Sequence, residues 1–165
     1  MKRIVFLDFD GVMDTGHHCN RLNYQGLPEN DKYGVLFDPD CVKNLERIIE
    51  ETGAEIVVTS SWKDWMSYEQ FLQMWKDRNL PGFVTDTTPS CSNHRGDEIS
   101  SWLSLFSKIE NGAECRYVII DDMGEADFNK DQVSHLVSVD SFYGLNEKAC
   151  LQAISILCGG IPIEQ

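Results

Sequence analysis

Two aspartates one residue apart, Asp8 and Asp10, close the apolar run of "IVFLDFDGV" (residues 4–12) and are followed at once by Gly11. On an extended backbone residues i and i+2 point the same way, so the two carboxylates repel one another unless a cation lies between them. Two further apolar runs end in chemistry-bearing side chains: "IVVTSS" in the hydroxyls of Thr59, Ser60 and Ser61, and "YVIIDD" in the paired acids Asp121 and Asp122. Such a set suits a hard cation like Mg2+, which binds through one or two carboxylates and keeps several waters. A positive charge is offered by Arg95 in "NHRGDEI", just ahead of a helical pattern, with His94 and Lys108 as nearby basic alternatives.

The elements that must position these groups alternate along the chain. The apolar run at residues 4–7, "AEIVV", "FVTDT", "CRYVII" and "HLVSV" read as five strands. Between them fall helical patterns: one capped by Asp40, with Leu45, Ile48 and Ile49, ending at Gly53; one with Trp65, Tyr68, Phe71, Leu72 and Trp75 as a core stripe; one with Ile99, Trp102, Leu103 and Phe106; and one from Asn146 to Gly159-Gly160. Strand-helix alternation predicts an α/β fold in three layers, a central, mainly parallel five-stranded sheet with helices on both faces. Ligands of such sheets bind beyond the carboxyl ends of the strands, where Asp8, Thr59 and Asp121 stand. The polar, Gly-containing stretch at about residues 13–38 reads as an extended loop or small hairpin flap, with His17 and His18 exposed on it rather than serving as general acid or substrate contact, and Trp62 packed against it rather than stacked on a base or sugar. Asp127 and Asp140 read as solvated acids near the same edge.

These motifs resemble, in order, the four signatures of the haloacid dehalogenase (HAD) superfamily of phosphohydrolases. "DFDGV" is similar to the first, "IVVTS" with Thr59 to the second, Arg95 ahead of its helix to the third, and "VIIDD" to the fourth. The surroundings of "TSSW", "RGDEISSWL" and "VIIDD" look further like small HAD domains of RNA-repair-associated proteins. The resemblance implies a Rossmann-like fold in one domain over residues 1–165; the large cap domain that many relatives carry has no space here, since the first interval holds only the flap and the stretch from Pro81 to Arg95 is too short for a folded insert. It implies Asp8 as nucleophile, Asp10 as general acid and then base, and Thr59 and Arg95 as phosphate-holding groups. The implied Mg2+ ligands are Asp8, the main-chain carbonyl of Asp10, and Asp121, with Asp122 behind them.

With 165 residues, 42% hydrophobic composition, four Trp and eight Phe, the chain can bury a substantial core. No apolar stretch approaches the roughly 18–20 residues that cross a bilayer, and the start of the chain turns acidic too soon for a signal peptide. Six scattered cysteines form no C-x-x-C pair, and His17, His18 and Cys19 fit no common zinc spacing. A cytoplasmic protein is expected. A formal net charge of -13 disfavours a long nucleic-acid footprint, which a terminal phosphate does not need. The resemblance implies a Mg2+-dependent phosphatase with an open site for a phosphorylated small molecule or macromolecular end. A phosphotransferase sharing the aspartyl-phosphate, and a non-catalytic module binding metal or a phosphorylated partner, are the alternatives.

Overall fold

Side-chain alternation along β1 (Arg3–Leu7) divides the interior in two. In the computed structural model, which describes residues 1–160, Val5, Leu7 and then Phe9 join the core on one face of the sheet, and Ile4 and Phe6 join the core on the other. After β1 come α1 (Gly16–Tyr24), a hairpin of β2 (Asn30–Asp31) and β3 (Gly34–Val35), and α2 (Pro39–Thr52). Next are β4 (Glu55–Val58), a 3-10 turn over Ser61–Asp64, α3 (Tyr68–Asp77), β5 (Val84–Thr87) and α4 (Arg95–Ile109). The chain finishes with β6 (Arg116–Asp121), β7 (Leu136–Ser138) and α5 (Glu147–Cys158).

Five strands make one parallel sheet in the order β5-β4-β1-β6-β7. Leu45 and Ile48 of α2, Phe71 and Met74 of α3, and Ala153 and Leu157 of α5 cover the Val5 face, while Ile99 and Trp102 of α4 cover the Phe6 face. This is the three-layer, Rossmann-like α/β arrangement expected from the alternation, and no large cap interrupts the described residues. Among them no helix is long and apolar enough to cross a membrane.

Local readings differ from the structure in three places. The stretch read as a loop carries α1, whose polar sequence gives little intrinsic signal and which is held by tertiary bonds instead. Thr15 Oγ1 accepts from His18 N at 3.0 Å and donates to Asp38 Oδ2 at 2.7 Å, and Arg21 Nη2 lies 2.8 Å from His18 Nδ1. His18 is consequently buried, and His17 alone of the pair is exposed. Second, α2 is capped by Asp38, which accepts from Asp40 N at 3.0 Å, because Pro39 takes the first helical position that its fixed φ favours. Third, α3 starts after a capping box of Ser67 and Gln70. Trp65 therefore falls outside the helix and Leu72 faces solvent, leaving Phe71, Met74 and Trp75 as the core stripe.

Candidate active site

Strand register builds the site. Leu7 is level with Val58 of β4 and with Ile120 of β6, so the next residues, Asp8, Thr59 and Asp121, stand side by side on three adjacent strands. Their parity is that of Phe6, Val57 and Ile119, all of which belong to the core beneath α4. Main-chain bonds carry the register past β1 and β4: Asp8 N donates to Ile120 O at 3.1 Å and Thr59 N to Leu7 O at 3.0 Å.

Arg95, the first residue of α4, reaches over this row. Its Nη1 lies 2.9 Å from Asp121 Oδ2, 3.3 Å from Asp8 Oδ1 and 3.3 Å from Thr59 Oγ1. The helix start is fixed by close packing, since a Cβ on Gly96 would lie 2.7 Å from both Asn129 N and Gln132 Oε1. A buried ion pair, Lys63 Nζ to Glu98 Oε2 at 2.9 Å, ties α4 to the 3-10 turn that follows Thr59. Of the other basic candidates, His94 Nε2 lies 3.2 Å from Ala126 O, and Lys108 is exposed in the last turn of α4.

Asp8, Asp121 and Asp122 each offer an oxygen within 4.8 Å of the others. Burial pushes the Asp8 carboxyl above its ordinary range, against the opposing pull of Arg95. Burial, followed by the Asp8 charge, pushes Asp121 up to about 7. With all three ionised, Arg95 leaves two negative charges uncompensated, the deficit that a divalent cation cancels. Carboxylate oxygens are the donors that a hard divalent ion such as Mg2+ takes. Gly11 makes the approach of Asp122 possible: its φ is +74°, and a side chain there would collide with Asp122 Oδ2 and lie 2.9 Å from Ser141 Cβ.

The Asp10 side chain is exposed and is not part of that cluster. Its Oδ1 accepts from Trp62 Nε1 at 3.0 Å. Trp62 is buried against Phe9 and Phe37, and Gly34 of the hairpin abuts its ring, as expected of a residue packed on the flap. The bond to Asp10 was not expected from sequence. Nor was Asp14, whose buried carboxyl accepts from Gly11 N at 3.3 Å and is pushed up to about 8, by burial first and by Asp10 next. Its signal was a third aspartate in "DFDGVMD", separated from Gly11 by the apolar pair Val12-Met13. Of the hydroxyl cluster, Ser60 accepts from Trp62 N at 3.3 Å and Ser61 is exposed. Asp140 is exposed as read, whereas Asp127 is half-buried in a 3-10 turn.

A family model described as the HAD domain in Swiss Army Knife RNA repair proteins matches residues 4–150. No curated protein and no solved structure gives a match. The matched stretch runs from Ile4 in β1 to Cys150 in α5 and takes in every site residue described above. The chain thus belongs to the family of HAD domains found in Swiss Army Knife RNA repair proteins.

Proposed function

We propose that the chain is a Mg2+-dependent phosphatase that hydrolyses phosphate monoesters through an aspartyl-phosphate on Asp8, with a site open to the terminal phosphate of a nucleic acid. One observation carries the reading: a single guanidinium, that of Arg95, lies within 3.3 Å of Asp8, Thr59 and Asp121 together. A nucleophile, a hydroxyl donor, a metal-ligating acid and a fixed positive charge thereby share one sheet edge. Family membership supports phosphoryl transfer in general, and the family's association with RNA repair proteins supports a nucleic-acid end as substrate. The absence of a large cap from the described residues leaves room for a macromolecule.

In the first step an Asp8 carboxylate oxygen bonds to phosphorus, the bond from phosphorus to the ester oxygen breaks, and Asp10 gives its proton to that leaving oxygen. In the second, Asp10 as carboxylate takes a proton from water. The water oxygen bonds to phosphorus, and the bond to Asp8 breaks, releasing inorganic phosphate. Thr59 Oγ1 and the Arg95 guanidinium hold the phosphate oxygens between the two steps. The carboxylates of Asp8, Asp121 and Asp122 and the main-chain carbonyl of Asp10 would hold Mg2+, which when bound would supply the charge that offsets repulsion between nucleophile and phosphate. The test is phosphate release from an aryl phosphate with Mg2+, with EDTA, and in Asp8→Asn and Asp10→Asn variants. Release that needs the metal and both aspartates is expected; release that survives Asp8→Asn would overturn the nucleophile.

A further inference from the structure

Trp65 is 59% exposed, although its ring packs on that of the buried Trp62. The local fold puts it there: the 3-10 turn over Ser61–Asp64 ends at Trp65, whose N–H bonds Trp62 O at 3.2 Å, and the next residue, Met66, enters the core in its place. The Trp65 ring centroid lies 5.3 Å from that of Trp62, at an interplanar angle of 38°. Trp62 in turn donates to Asp10 Oδ1. Contacts therefore run outward from Asp10 through Trp62 to Trp65. Trp62 is covered by Phe9, Phe37 and the hairpin and presents no free face; Trp65 does.

We propose that Trp65 stacks on the nucleobase of the nucleotide that bears the scissile phosphate, and so selects nucleotide ends over aliphatic phosphate esters. The inference rests on the phosphatase reading of the same site and names its substrate class. An indole face held by its backbone offers a base a planar partner at little ordering cost, whatever the base identity. With a net charge of -13 the chain is poorly suited to gripping a run of phosphates, which favours an uncharged contact as the source of affinity beyond the scissile phosphate.

The test uses the Asp8→Asn chain, which holds ligand without turning it over. Adenosine 3′-phosphate and glycerol 1-phosphate are titrated with Mg2+ present, by calorimetry, into this protein and into versions that also carry Trp65→Ala or Trp65→Phe. The nucleotide is expected to bind about tenfold more tightly, about 1.4 kcal/mol. Trp65→Ala should abolish that advantage and Trp65→Phe should keep most of it, with glycerol phosphate unaffected by either. Equal affinity for the two ligands, binding of neither, or an equal loss for both in Trp65→Ala overturns the proposal. Phosphate release by the Asp8-intact chain judges the underlying reading separately. Trp65-dependent nucleotide binding without any release defeats the phosphatase and spares the stack. Release from both esters alike, with no role for Trp65, does the reverse.

Discussion

Arg95 Nη1 donates to Asp121 Oδ2 at 2.9 Å, joining the first residue of α4 to the last residue of β6. The same nitrogen stands 3.3 Å from Asp8 Oδ1, so this guanidinium is the counter-charge of two buried acids. Arg95→Ala should therefore abolish phosphate release and lower stability in EDTA by about 3 kcal/mol, the usual cost of stranding a buried charge. Arg95→Lys should recover part of the stability and less of the activity, because a point charge cannot serve Asp8, Thr59 and Asp121 with a planar fork. Thermal unfolding and phosphate release on the two variants check this; an active Arg95→Ala protein would remove Arg95 from the mechanism.

Mg2+ should stabilise the folded chain, and more so at higher pH. Burial raises the carboxyls of Asp8 and Asp121 above their ordinary range, the second to about 7. For a raised acid the folded state holds more protons than the unfolded state, so without metal the contribution of these two groups to stability is most favourable below about pH 4 and declines as pH rises toward 7. Mg2+ competes with those protons. Its effect on Tm should be small at pH 5 and larger at pH 7.5, where a concentration 100 times Kd contributes about 2.7 kcal/mol. Asp121→Asn should nearly eliminate the shift, as measured by thermal unfolding with and without the ion.

Asp14 provides a separate pH signature. Its carboxyl is pushed up to about 8 by burial and by Asp10, so in the metal-free chain it contributes a loss of stability that builds as pH rises from about 4 to 8. Asp14→Asn keeps an acceptor for Gly11 N and has no charge to bury. The variant should melt above the parent at pH 8, and the gap should close toward pH 4. A gap independent of pH would contradict this account of Asp14.

Much of the site could be read from sequence because it lies at strand ends. Asp8, Thr59 and Asp121 each directly follow an apolar run, and parallel register turns three such endings into neighbours. Arg95 was readable by its order ahead of a helix, though only folding distinguishes it from Lys108, which the same helix carries to its far end. The remainder depends on tertiary contacts with no local pattern. Helix α1 is polar along its length and is fixed by Asp38, which lies 23 positions from Thr15. The Trp62 indole crosses 52 positions to reach Asp10. Trp65 shares the helical spacing of the core stripe and leaves it only because Ser67 caps α3 two residues later.

The bond from Trp62 Nε1 to Asp10 Oδ1 makes a prediction that separates positioning from packing. Trp62→Phe keeps an aromatic ring against Phe9 and Phe37 but removes the donor, freeing the Asp10 carboxyl to rotate from the leaving oxygen. General acid catalysis matters most where the departing oxygen is a poor leaving group, because a good one departs without a proton. The variant should accordingly lose about tenfold or more in kcat/KM, which reports the first step alone, with an alkyl phosphate, and much less with p-nitrophenyl phosphate. Asp10→Asn should show the same selective pattern in kcat/KM in stronger form, while turnover of both esters stops because the second step has lost its base. If Trp62→Phe slows both esters equally, the indole acts through the packing of the hairpin alone, and the aim of Asp10 does not depend on it.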